Sequence, residues 1–238
     1  MNDAVICYPF KVGASKWEDN ELRHSLRSVE RYWKTESGGL PRVVVLSESL
    51  PEWLTGVEHV KAVTYREALT KASQLDCERI VWMNDDILFL KDTREEDLKP
   101  THLGEESKEK IAQWRIGKNK WRRNYGRAQS WLAENGYSNF NFSTHKPYLY
   151  ELEKMRSTLE RTPWFGNKSA FENYYFNIHH SSSSSQIRNK WRPHGRDLIP
   201  ANIEEKRFLN LTDKAVGVEK NLIRYWVRGC FKDPSRYE

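Results

Sequence analysis

The stretch from Arg79 to Asp92, RIVWMNDDILFLKD, limits the fold more than any other part of the chain. Ile80, Val81, Trp82 and Met83 are apolar without clean alternation, the pattern of a strand covered on both faces. Asn84, Asp85 and Asp86 follow at its end, and a second apolar run, Ile87 to Leu90, comes directly after. The two carboxylates are therefore expected between packed segments. Two readings stay open. Asn-Asp pairs occur in ordinary turns, where their side chains accept hydrogen bonds from nearby amides. Carboxylates held between apolar runs also suit a hard divalent cation, magnesium or manganese, which takes carboxylate oxygens together with substrate phosphates.

Around this stretch, strand and helix patterns alternate. DAVICYPF reads as a buried strand, and NELRHSLRSVERYW places Leu22, Leu26, Val29 and Tyr32 at helical spacing, with Asp19 or Asn20 as its cap. PRVVVLSES is a second strand, EHVKAVTY a short third and REALTKASQL a helix. Such a rhythm predicts a mostly parallel sheet that binds ligands at the carboxyl ends of its strands. The charged segment from about 105 to 135 reads as a helical insertion over the sheet. NFNFSTHKPYLYELEKMRSTLE resumes with a strand, a turn at His145 and Pro147, and a helix. KSAFENYYFNIHH is amphipathic, HSSSSSQIRNKWRPHGRD is serine-rich, basic and expected to be mobile, and EEKRFLNLTDKAV gives a short strand before Asp213. VEKNLIRYWVRGCF closes as a helix.

A chain of 238 residues can bury a sizeable core, and one domain is expected, with residues 1–100 as one half and 101–238 as the other. No run approaches the roughly 20 apolar residues of a membrane span, and the start lacks a signal-peptide pattern, so a soluble, cytoplasmic protein without a membrane partner is expected. Cys7, Cys77 and Cys230 are odd in number and far apart, which argues against a disulfide framework or a zinc cluster. The net charge of +6 points towards polyanions, and it is concentrated. Between Lys110 and Arg127 stand seven basic residues and no acidic one, interleaved with Trp114, Trp121 and Tyr125. Such a segment can track a phosphate backbone while stacking on bases, or be a helix with inward tryptophans.

NELRHSLRSVERYW, RVVVLSES, ALTKAS, RIVWMNDDILFL, STHKPYLYE and FKDPSRYE, in this order, resemble nucleotide-sugar glycosyltransferases of the GT-A fold. The resemblance is to small phage-type enzymes and, more distantly, to Stealth-type capsular polysaccharide phosphotransferases. It implies a Rossmann-like α/β fold with a central sheet flanked by helices, and a cation, Mn2+ or Mg2+, holding the donor diphosphate on an Asp-X-Asp-like motif. Asn84, Asp85 and Asp86 stand at that place, with Asn84 a departure from the motif. A late ligand in such folds maps by position to Asp213, for which a helix cap is the other reading. His179 and His180 are alternatives better read as surface.

The resemblance further implies that Tyr8, Pro9 and Phe10 cradle the nucleotide base, with a UDP-sugar favoured. Arg23 and Lys71 are candidates to neutralise its diphosphate, while Arg27 reads as solvated charge. An inverting enzyme needs a base for the acceptor hydroxyl, and His145 fits that role, with Glu172 touching the transferred sugar. The acceptor implied by the phage-type resemblance is a hydroxymethylated pyrimidine in DNA, met by Arg115, Trp121, Arg122 and Arg123, and reached only if the base leaves the stack. Two other readings remain: a transferase for a surface glycan or capsule, and an inactive transferase fold that binds nucleic acid.

Overall fold

The computed structural model describes residues 3–15, 17–18, 20–165, 170–181, 185–186, 189–193, 198–217 and 221–238. In chain order, β1 (Val5–Pro9) leads to α1 (Asn20–Tyr32), then β2 (Val43–Ser47), β3 (Glu58–Lys61), α2 (Tyr65–Ala72) and β4 (Arg79–Trp82). β5 (Ile87–Phe89), β6 (Thr101–His102), α3 (Lys108–Ile116), α4 (Lys120–Glu134), β7 (Tyr148–Glu151), α5 (Leu152–Arg161) and α6 (Phe171–His179) follow. β8 (Ser185–Gln186), β9 (Lys190–Trp191), β10 (Phe208–Asn210), α7 (Asp213–Val216) and α8 (Leu222–Cys230) complete the order.

The central sheet runs β3-β2-β1-β4-β7, parallel throughout except for β7, which lies antiparallel to β4. Its inner strands β1, β2 and β4 are apolar on both sides because both sides are covered, whereas the edge strand β3 is polar and largely exposed. Ile6, Tyr8, Val43, Val45, Val81 and Met83 face α1, whose Leu22, Leu26, Val29 and the following Trp33 form one stripe at helical spacing. Val5, Cys7, Val44, Leu46, Ile80 and Trp82 face the opposite way, onto α2, α5 and α6. The result is a mixed α/β architecture compatible with a Rossmann-like fold. A second sheet, β5-β10-β9, continues from the Asn84–Asp86 turn, and a third core forms where its Leu88 and Leu209 meet Val216, Ile223 and Val227 of the last two helices. Among the described residues no helix is long and apolar enough to cross a membrane.

Three expectations change. The segment from Asn139 to Lys146 is not a full strand: it makes a single bridge to Glu105, while the amides of Phe140 and Phe142 are taken by α6, Phe140 N donating to Asn177 Oδ1 at 2.9 Å and Phe142 N to Asn173 Oδ1 at 2.7 Å. Within the serine-rich tract, expected to be mobile, Ser185–Gln186 pairs with β6 and Lys190–Trp191 with β10; its residues 182–184, 187–188 and 194–197 lie outside the described residues. Asn20 is the first helical residue of α1, its amide donating to the Trp17 carbonyl, and Asp19, the other expected cap, lies outside the described residues.

Candidate functional site at the carboxyl edge of the sheet

β1, β2 and β4 all end on one edge. Because β7 runs the other way, its first residue, Tyr148, lies opposite Trp82 and brings the loop carrying His145 to that same edge. Asn84 begins a hydrogen-bonded turn, its carbonyl accepting from Ile87 N at 3.2 Å, so Asp85 and Asp86 occupy the two central positions between β4 and β5. The turn reading and the site reading are therefore compatible.

Asp86 is enclosed by the second sheet. Its carbonyl accepts from Leu211 N at 2.7 Å, and Asn210 pairs with Ile87 in register. Burial pushes the Asp86 carboxyl up to about 6, and the nearby Asn210 amide and Arg192 charge offset this only in part. Among the described residues, Asp86 Oδ1 and both polar side-chain atoms of Asn210 are sealed from solvent with no hydrogen bond of ordinary geometry, although the amide lies close enough to act on the carboxyl. A sealed carboxylate oxygen without a partner is costly and suits a bound cation or donor group.

His145 sits with a left-handed backbone, φ 49°, in a conformation that histidine tolerates better than branched residues. Tyr148 fixes it from beneath, its hydroxyl accepting from the amides of Thr144 and His145 at 3.0 and 3.1 Å. Burial first, then the charges of Arg192 and Lys190, lower the imidazole to about 4. Lys190 Nζ donates to the carbonyls of Thr144 and His145, and its own value falls to about 8 through burial and Arg192, with Asp86 opposing. The adjacent Lys146, 3% exposed, donates to Lys99 O at 2.7 Å, and burial followed by Lys190 lowers it to about 7. Lys190 and Arg192 thus act on both Asp86 and His145.

Glu172 belongs to a neighbouring network. It accepts from Ser143 Oγ at 2.6 Å, and Asn173 Nδ2 donates to Ser143 Oγ at 2.9 Å, so the first turn of α6 holds the same loop that carries His145. Burial raises the Glu172 carboxyl above its usual range. Asn173 also meets Gln129 of α4 at 3.4 Å, which links this network to the base of the α3–α4 hairpin.

The other expected residues are placed as follows. Tyr8 is fully buried, with its hydroxyl 2.8 Å from Ser25 Oγ, and Phe10 is also in the core; of that trio only Pro9 is half-exposed. Asp85 lies near enough to raise the Tyr8 hydroxyl. Asp213 is the exposed first residue of α7, and the cap of that helix is Thr212, which accepts from Ala215 N, so the cap reading of Asp213 is corrected. Arg23 pairs with Glu238 at 3.2 Å and lies over the Trp53 ring. Lys71 pairs with Glu67 and the Lys61 carbonyl at the end of β3, the outermost strand. Arg27, expected as solvated charge, instead grips Glu238 with two 2.6 Å bonds at a site where both side chains are largely buried. His179 bonds Thr158 on α5 and takes no part in the Asp86 cluster.

On the hairpin, Arg115 and Arg122 are exposed, and Trp121 is 44% exposed with one face stacked on Tyr125 at 5.3 Å. Trp114 meets the edge of the same ring, so the tryptophans serve the hairpin's packing as well as its surface. Arg123 donates to the carbonyls of Gly117 and Lys118 at 3.2 Å, closing the end of α3. Sequence reasoning missed Lys190, Arg192, Asn210 and the buried Glu21, whose charge also reaches Asp86. The alternation Lys190-Trp191-Arg192, with one apolar residue between two cations, was the available signal of a short strand with a basic face.

No protein-family model matches the chain, and no curated protein matches it. Among the described residues no three His, Cys, Asp or Glu side chains gather into a cage for a metal ion. A cage is not required, since magnesium is commonly held by one or two carboxylates, with water and substrate phosphates completing its shell. The sealed oxygen of Asp86, with Asp85 beside it in the turn, fits that mode of binding.

Proposed function

We propose that the chain is a cation-assisted glycosyltransferase that moves a sugar from a nucleoside diphosphate donor, a UDP-sugar, to a hydroxyl on DNA, a hydroxymethylated pyrimidine. The observation that carries it is the unpartnered, sealed Asp86 oxygen at the carboxyl edge of a parallel sheet, set close to Lys190 and Arg192. Ligands of open α/β sheets bind at that edge. Asp85 and Asp86 would hold the cation, which supplies Lewis-acid neutralisation of the departing diphosphate. His145, lowered to about 4, is neutral at pH 7 and so free to take the proton of the attacking hydroxyl. Its lowered value makes it a weak base. An anion beside Lys190 and Arg192 would remove the electrostatic part of that depression and leave the burial part. Glu172 holds the loop through Ser143 Oγ and, in this reading, would touch the transferred sugar.

The DNA acceptor is supported by the exposed basic face of the hairpin and by the link from Gln129 through Asn173 to Glu172. The test is incubation with hydroxymethylated DNA, magnesium or manganese, and a panel of nucleotide sugars, followed by nucleoside mass spectrometry. A sugar-bearing nucleoside that disappears in excess chelator is the expected result. Transfer to a glycan but not to DNA would replace the acceptor, and no release of nucleoside diphosphate under any condition would leave a binding module without activity.

A further inference from the structure

β9 ends at Trp191, with Lys190 beside Phe208 and Trp191 beside Leu209, and Arg192 follows directly after the strand. Leu209 leads on to Asn210, whose amide lies close to the Asp86 carboxyl. Lys190 is drawn inward by the Thr144 and His145 carbonyls, while Arg192 is exposed. Both charges reach Asp86 and His145. Around them, Thr144 Oγ1, Asn189 Oδ1 and both polar atoms of the Asn210 amide are sealed and lack partners among the described residues. Lys190 and Arg192 therefore bring two positive charges to bear on the single Asp86 carboxylate, in a part of the fold that holds further unsatisfied polar atoms.

We propose that Lys190 and Arg192 form a diphosphate clamp, gripping the two phosphoryl groups of the leaving nucleotide opposite the Asp85–Asp86 turn. The proposal rests on the transferase reading above and adds the residues that would hold its leaving group. Arginine's planar fork can take two oxygens of one phosphoryl group, and the lysine ammonium acts as a point charge on the other. As the bond between the anomeric carbon and the phosphate oxygen breaks, its electron pair stays on the diphosphate, next to these cations. The acceptor oxygen bonds to the anomeric carbon, and its proton passes to His145.

The test is calorimetric titration of the full chain with inorganic pyrophosphate and with orthophosphate, each with magnesium. Wild type should bind pyrophosphate more tightly than orthophosphate. Arg192→Gln, at an exposed position, should weaken pyrophosphate roughly tenfold or more while changing orthophosphate less, so that the preference narrows. Lys190→Met should do the same and Lys190→Arg should restore part of it. Lys118→Gln, on the hairpin, should change nothing. If Lys190→Met does not fold, Arg192→Gln decides alone. Undiminished pyrophosphate affinity in Arg192→Gln overturns the clamp and leaves the transferase reading in place. A wild type that binds neither pyrophosphate nor a nucleoside diphosphate overturns both.

Discussion

Asp86 and His145 are titrating groups that pull stability in opposite directions. Asp86 is raised from 3.8 to about 6, so the metal-free folded state binds more protons than the unfolded chain between those values, and stability falls as pH rises through that window. His145 and His24 are both lowered from 6.5 to about 4, His24 by burial and then Arg27, so the unfolded chain binds the extra protons and stability rises from pH 4 to 6.5. Two histidines outweigh one carboxylate, so these groups should give wild type a net gain in stability from pH 4 to 6 in urea titrations with chelator present. Asp86→Asn should steepen the rise and add up to about 3 kcal/mol at pH 7, while abolishing transfer. A variant less stable than wild type at pH 7 would show that Asp86 is satisfied after all. His145→Ala should lower turnover with little change in donor affinity, as expected when a contact develops only in the transition state. Normal turnover with lost donor affinity would move His145 to the binding side. Asp86 and His145 were legible in the sequence because packed segments or a proline flank them. Lys190, Arg192 and Glu21 were not, because a charge in a serine-rich tract or a helix's first turn looks the same whether solvated or buried.

Among the elements, the α3–α4 hairpin separates charge for function from charge for structure. Arg122 is exposed, and Arg122→Ala should flatten the salt dependence of duplex DNA binding by about 1 unit on a logarithmic plot, the share of one phosphate contact. Arg123 caps α3, and Arg123→Ala should lower the melting temperature by an amount consistent with about 1 kcal/mol. An unaltered slope in Arg122→Ala would remove that residue from the acceptor face. Gly126 marks the crossing of the two helices. A Cβ there would stand 2.9 Å from Arg115 N and 3.1 Å from Ile111 O, both backbone atoms that cannot swing aside. The helix-propensity gain of Gly126→Ala, about 1 kcal/mol, should lose to overpacking of about 1–3 kcal/mol, leaving a net loss in thermal melts. The helices and central strands were readable because their apolar periods are long. The two-residue strands β6 and β8 were not, since pairing with distant partners defines them and no local pattern does, and β9 offered only the brief alternation around Trp191.

At the scale of the whole molecule, residues 235–238 strap the first helix to the rest of the fold. Thr55 N donates to Tyr237 O at 2.8 Å, the Tyr237 ring is in the core, and a Cβ on Gly56, φ 62°, would stand 2.8 Å from Arg236 O. Burial raises the Glu238 carboxyl, but bonds from Arg27 and the Ser235 amide outweigh it and hold the group below its ordinary range. The strap's stability is thus full above that range and lost as pH falls through the depressed value. Arg27→Ala should cost about 1–3 kcal/mol at pH 7 and progressively less in acid, and a pH-independent loss would assign the effect to packing. This clamp was invisible in the sequence because its partners stand 211 residues apart. That separation bears on how the protein is made. During vectorial synthesis the first helix emerges long before Arg236, Tyr237 and Glu238 exist, and long-range closure is slow. The nascent chain must hold α1 against β1 and β2 by apolar contact and the Tyr8–Ser25 hydrogen bond, and the amino-terminal half passes from loosely docked to locked only when the strap leaves the ribosome.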